Sequence, residues 1–247
     1  MKDKLFIIGD IHGQITMFNQ LLEHWNKEEE QLVLVGDLGD RGENPKACFE
    51  KVRELIEKEH AICLRGNHEE MLLNFMKNPN EFSSNYAMNG GMVTIASFLQ
   101  TELKGKEPSE LAISLQKKAP WLKSFIETLP LKFEWESFLI VHAGINLTIR
   151  NWRNTSNRDM VWIREGFYDQ PNKTGKTIIF GHTVTAMLNE DPTDTSIWKT
   201  DDGKIGIDGG AVYGGSLHGI VIDKEGIINQ YSIENKGYAY SDHLRKE

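Results

Sequence analysis

Cysteine is nearly missing from the 247 residues: Cys48 and Cys63 are the only two, without CxxC spacing or a neighbouring histidine. A disulfide framework and a zinc finger are thereby excluded, and both read as buried thiols of a cytosolic protein, one in a helix and one in a strand. No apolar run approaches the ~20 residues of a membrane span, and MKDKLFII is too short for a signal peptide's apolar region, so the chain is expected in the cytoplasm without a membrane partner. Basic residues are in deficit, with 28 Lys and Arg against 36 Asp and Glu, a net charge of -8. Such a field repels nucleic acid, which is not an expected partner. Internal repeats and low-complexity tracts are lacking too. The remaining composition, 39% hydrophobic, is that of an ordinary globular protein, expected to form a single domain over 1–247.

What is present begins with short β-rich runs that end at or beside a glycine: LFIIGD at 5–10, QLVLVGD at 31–37, AICLRGN at 61–67, FLIVHAG at 138–144 and TIIFGH at 177–182. Helical apolar spacing separates the first three, through Phe18, Leu21, Leu22 and Trp25, then Phe49, Val52, Leu55 and Ile56. A βαβαβ start with a buried sheet is predicted. From 78 to 130, helical patterns such as Trp121, Leu122, Phe125, Ile126 and Leu129 predict a helical cap insertion over one face. After 176, SIWKT, KIGIDGG, SLHGIVID and GIINQYSI predict a second, antiparallel-rich sheet packed on the first. The expected class is α/β, or α+β.

Ligands of an open α/β sheet gather at the carboxyl ends of its strands. Here those ends carry Asp10 and His12; Asp37, Asp40 and Arg41; Asn67, His68 and Glu69; His142; and His182. Four of the eight histidines fall there, whereas His24, His60 and His243 lie in charged surroundings and His218 reads as a packed core residue. Asp and His two apart on extended chain point the same way, so Asp10 and His12 can serve one cation. Asp37 can bridge to a second, completed by Asn67, His142 and His182. A two-cation centre holding a hydroxide follows, and its charge exceeds that of two carboxylates and a hydroxide by about one positive unit. With Arg41, whose planar fork suits phosphate oxygens, the pocket selects an anion. Asp40 and His68 have no cation to bind in this scheme. They pair as a carboxylate orienting an imidazole, which donates a proton to a leaving alkoxide. Imidazole, carboxylate and amide donors without thiolate favour Mn²⁺, with Fe²⁺ or Zn²⁺ as substitutes.

GDIHG, GDLGDRG, GNHE, HAG and GHT, in that order, resemble the phosphoprotein phosphatase branch of the binuclear metallophosphoesterases. NGG at 89–91, VWIRE at 161–165, FGHT at 180–183 and IDGGAVYGG at 207–215 extend the similarity toward small bacterial and phage serine/threonine phosphatases. The resemblance implies a calcineurin-like fold, a central β-sandwich flanked by helices. It also implies Asp10, His12 and Asp37 on the first metal, and Asp37, Asn67, His142 and His182 on the second. His68 with Asp40 would be the general acid pair, and Arg41, Asn67 and Arg164 would bind phosphate. The family's usual second motif is GDxVDRG; Gly39 in place of the valine predicts a looser loop with activity kept.

The reaction expected is direct hydrolysis of a phosphomonoester on a phosphorylated protein or small molecule, by attack of the bridging hydroxide. Symmetrical diadenosine tetraphosphate hydrolases are near relatives and supply the alternative. DRG rather than ARG, and GNHE rather than GNHD, lean toward the phosphatase. The dinucleotide reading predicts a groove with aromatic stacking from Phe82, Tyr86, Phe98 and Trp121. A third reading, an inactive phospho-ligand binding module, leaves the Asp40 and His68 pair without purpose.

Overall fold

The computed structural model describes residues 2–237 and Tyr240. The chain runs β1 (Lys4–Ile8), α1 (Ile15–Leu22), β2 (Glu30–Leu34), α2 (Pro45–Glu59), β3 (Ile62–Cys63), α3 (Asn67–Lys77), α4 (Pro79–Met88), α5 (Gly91–Leu99), α6 (Pro108–Lys118) and α7 (Leu122–Thr128). It continues with β4 (Lys132–Trp135), β5 (Phe138–Val141), α8 (Asn157–Trp162), β6 (Thr177–Phe180), β7 (Trp198–Lys199), β8 (Lys204–Gly206), β9 (Ser216–Ile222) and β10 (Ile227–Glu234).

Two five-stranded sheets form, with orders β10-β9-β1-β2-β3 and β4-β5-β6-β8-β7. Alternation along single strands builds the layers, because successive side chains leave opposite faces. Leu5 and Ile7 of β1 join Phe138 and Ile140 of β5 in one cluster between the sheets. Phe6 and Ile8 turn the other way, into a cluster with Phe18, Phe49, Leu72, Phe98 and Ile126 of the helices. Leu139 and Val141 face outward onto Met160 and Phe167. The result is a β-sandwich with α1 to α7 on one side and α8 on the other.

The strands after 176 do not form one sheet of their own, as the sequence suggested. β6, β7 and β8 join β4 and β5, with β5-β6 and β6-β8 parallel, while β9 and β10 return to the first sheet, β9 antiparallel to β1. Burial explains the split. Every residue of β9 is buried, so it needs neighbours on both edges, whereas β10 is half-buried or exposed along its whole length and can close the sheet. α1 ends before Trp25, whose indole N–H donates to the Glu30 carbonyl at 2.9 Å. Cys48 and Cys63 are both buried free thiols, in α2 and β3. Among the described residues no helix is long and apolar enough to cross a membrane.

Candidate active site

The loops leaving β1 and β2 are stitched together before any side chain is considered. The N–H groups of Ile11 and His12 donate to the Asp37 carbonyl at 3.1 and 2.8 Å, and that of Gly13 to Leu38 at 2.9 Å. His12, Asp37, Asp40, Arg41 and His182 all have positive φ, between 43° and 67°. The other described non-glycine residues with positive φ are His60 and Gln100, which end helices, and Glu136, in the β4-β5 turn. Left-handed backbone costs about 1–3 kcal/mol per residue, and its concentration in these loops marks a site where position outweighs stability. Glycines let the backbones pass the carboxylates. A Cβ on Gly181 would lie 1.9 Å from Asp10 Oδ1, and one on Gly66 would lie 2.1 Å from Asp37 Oδ1.

The imidazoles of His12, His142 and His182 are each oriented by a backbone carbonyl behind them. Nδ1 of His12 donates to Gly39 at 2.9 Å, Nδ1 of His142 to Val35 at 3.0 Å, and Nε2 of His182 to Trp162 at 3.2 Å. The opposite nitrogens therefore carry lone pairs, aimed inward. His12 Nε2 lies 3.5 Å from Asp37 Oδ2, and His142 Nε2 lies 3.5 Å from Asp37 Oδ1. Asn67 Oδ1 sits 2.9 Å from both His142 Nε2 and His182 Nδ1. Three acceptors thus face one another with no proton between them, an arrangement that a cation would satisfy.

Burial tells the same story. It raises Asp37 to about 8 and pushes Asp10 well above the carboxylate range, with Asp208 and Asp37 adding like-charge repulsion to Asp10. It lowers His142 to about 4 and takes His12 and His182 well below the usual imidazole value. Asp10 Oδ1 is buried without a hydrogen-bond partner, while its Oδ2 accepts from the His182 N–H at 3.0 Å. Donor atoms of His12, Asp37 and His68 lie within 4.8 Å of one another, as do those of Asp37, His142 and His182. Two donor groups sharing Asp37 fit a pair of divalent cations. Asp10 stands beside the first group rather than within it.

His68 Nδ1 donates to Asp40 Oδ2 at 2.6 Å, with both side chains buried. Burial raises Asp40 to about 7 and lowers His68, so the pair is suited to holding one proton between them. Glu69 accepts from the N–H groups of Asp37, Leu38 and Gly66, each at 2.8 Å, and so fixes the Asp37 loop against the start of α3. Arg41 donates from Nη1 to His12 Nε2 at 2.9 Å, and its guanidinium lies 5.4 Å over the Tyr213 ring. Arg164 donates to Thr183 Oγ1 at 2.9 Å.

These groups open onto a cavity of about 330 Å³ lined by His12, Asp37, Arg41, Asn67, His68, Arg164 and His182. Asp10, Asp40 and His142 lie behind it, buried. Asp208 also lines it and went unassigned in the sequence, although KIGIDGG carries the same signal, an apolar run ending in an acid and glycine. The stacking expected of Phe82, Tyr86, Phe98 and Trp121 is not found, since none of them lines the cavity. Tyr86 and Phe98 are core residues, and Trp121 packs on Phe98 and Phe125. The aromatic wall is Trp162, Tyr213 and Tyr240.

Gly39 does not loosen its loop. A Cβ there would meet the Phe49 ring at 2.6 Å and Thr94 Oγ1 at 3.1 Å, so the space of a larger side chain is already filled. Of the remaining histidines, His24 is exposed and stacks on Tyr231, and His60 is exposed at the end of α2. His218 is a buried residue bonded to Ser232 and the Thr195 carbonyl, and His243 lies outside the described residues.

Comparison with known proteins agrees with this geometry. The family model described as calcineurin-like phosphoesterase matches residues 4–205. The chain is similar to serine/threonine-protein phosphatase 1 of Salmonella typhimurium, 27% identical over 86% of this chain and 89% of that one. It is also similar to the asymmetrical bis(5'-nucleosyl)-tetraphosphatase PrpE of a Geobacillus species, 26% identical over 87% and 88%. A crystal structure of a candidate diadenosine tetraphosphatase superposes with a TM-score of 0.65 at 19% identity, covering 96% of each chain, and shares the fold.

Proposed function

The chain belongs to the calcineurin-like phosphoesterase family, and from that premise we propose that it is a serine/threonine protein phosphatase hydrolysing phosphomonoesters at the Asp37 centre. The observation that carries the reading is the buried Asp40 and His68 contact at 2.6 Å, which pairs His68, one of the donors grouped with His12 and Asp37, with a carboxylate outside both donor groups. Asp10, His12 and Asp37 would hold one divalent cation, and Asp37, Asn67, His142 and His182 the other. When bound, the pair supplies Lewis acidity toward phosphoryl oxygens and a nucleophile from water at neutral pH. The absence of thiolate donors favours Mn²⁺, with Fe²⁺ or Zn²⁺ as substitutes.

The residues divide the remaining work. Arg41, Asn67 and Arg164 bind the phosphoryl oxygens, and the positive charges gain most as negative charge spreads across those oxygens in the transition state. As the bond from phosphorus to the leaving oxygen breaks, its electron pair departs with that oxygen, which takes the proton from His68 Nε2. Asp40 stabilises the imidazolium from the other side. We place this chemistry in a single domain over 1–247, with 78–130 as its cap, acting in the cytoplasm, where thiols such as Cys48 and Cys63 stay reduced.

A bis(5'-nucleosyl)-tetraphosphatase is the second reading, favoured by one feature. Trp162, Tyr213 and Tyr240 line the cavity and could stack a base. Phosphate release from a phosphoserine peptide, measured beside chromatography of products from diadenosine tetraphosphate with Mn²⁺, separates the two. The phosphatase reading expects the peptide to have the higher kcat/KM. Faster cleavage of the dinucleotide would replace it with the second.

A further inference from the structure

Asp40 has two carboxylate oxygens, and only Oδ2 faces His68. Oδ1 is turned toward the helices and accepts two hydroxyl protons there, from Tyr86 at 2.8 Å and from Thr94 at 2.5 Å. Thr94 Oγ1 in turn accepts from the Asp40 backbone N–H at 2.8 Å, so one hydroxyl grips both ends of the residue. Tyr86, Thr94 and Asp40 are each at most 1% exposed.

The motif NGG at 89–91 gains a purpose from the same corner. Tyr86 lies in the last turns of α4 and Thr94 in α5, with Asn89, Gly90 and Gly91 at the junction. A Cβ on Gly91 would stand 2.3 Å from the Tyr86 ring, so glycine lets the ring slide beneath α5 toward Asp40. The Gly90 carbonyl accepts the Arg41 N–H at 3.3 Å. The corner therefore touches two consecutive residues of the DRG loop, both of which have positive φ.

We propose that Tyr86 and Thr94 are positioning residues that hold the Asp40 carboxylate in the orientation presenting Oδ2 to His68 Nδ1, which directs the His68 Nε2 proton into the cavity. This rests on His68 being the general acid. A carboxylate free to rotate would hold the Nδ1–H in a poorly aligned bond and leave the ring, with its Nε2 proton, less firmly aimed. With Oδ1 saturated by two neutral donors, one orientation remains.

The test compares two aryl esters of similar size, p-nitrophenyl phosphate and phenyl phosphate, because only the poorer leaving group of the second depends strongly on the proton. Tyr86→Phe removes one oxygen and keeps the ring that packs on Phe75. It is expected to lower kcat on phenyl phosphate about ten- to a hundredfold and on p-nitrophenyl phosphate far less, with KM unchanged. Thr94→Val should behave alike, and Thr94→Ser should restore the wild-type ratio. An equal loss on both esters in Tyr86→Phe, or none, overturns the proposal even if Thr94→Val fails to fold. His68→Asn separates the two failures. If it loses both esters equally, the acid assignment falls and this inference with it. If it loses phenyl phosphate selectively and Tyr86→Phe does not, only the positioning role falls.

Discussion

Glu69 shows how a single buried charge organises the site without entering it. Its carboxylate takes three backbone N–H groups, and burial raises it to about 7 despite them. Glu69→Ala should leave those donors unsatisfied at about 1–3 kcal/mol each, so an overall loss of at least ~3 kcal/mol is expected in urea unfolding. A loss under ~1 kcal/mol would show that the loop does not depend on it. At this scale the signal was a polar residue following an apolar run, from which Asp10, His12, Asp37, Asn67, His142 and His182 were proposed, while Asp208, which carries the same signal, was passed over. Tyr86 and Thr94 were not readable. Their hydroxyls sit on helical faces that otherwise pack in the core, and nothing in a helical period marks a buried tyrosine as a hydrogen-bond donor.

The contact of α5 with the loop after β2 depends on Gly39, because Phe49 and Thr94 occupy the volume a side chain would need. Gly39→Val is expected to push Phe49 and Thr94 aside and to destabilise by about 1–3 kcal/mol, the usual range for overpacking. Thermal melting and phosphatase assays of that variant should fall together. An unchanged melting temperature would mean that the loop yields freely, as the motif alone suggested. The sheets show a similar limit of legibility. Alternation identified the strands and their inward faces, but β9 could be assigned to the β1 edge only once both its faces and both its edges were known to be buried. Pairing is a long-range choice that the period of one strand does not encode.

Across the whole molecule, the buried acids set a pH dependence that a cation held by Asp37 should weaken. A carboxyl raised on folding contributes stability that is complete below its unfolded value and lost as pH rises through its folded value. For Asp37 that window runs from 3.8 to about 8, and Asp40 and Glu69 act in the same direction up to about 7. The buried histidines oppose them below their ordinary value of 6.5, where only the unfolded chain takes up protons, and are neutral in both states above it. Between pH 6.5 and 8 the acids therefore act alone. The melting temperature of chelator-treated protein should fall as pH rises across that interval, and saturating Mn²⁺ should flatten the slope. A melting temperature that rises there without metal would contradict the assigned burial.

The claim on which the rest depends is that Asp37 joins two cations into one hydrolytic centre. Calorimetric titration of Mn²⁺ into metal-stripped protein, with phosphate release followed in parallel, tests it most directly. The account predicts two ions bound per chain, activity that appears with the second, and loss of both the second ion and turnover in Asp37→Asn. Full activity with a single bound ion, or turnover that survives complete chelation, would contradict it.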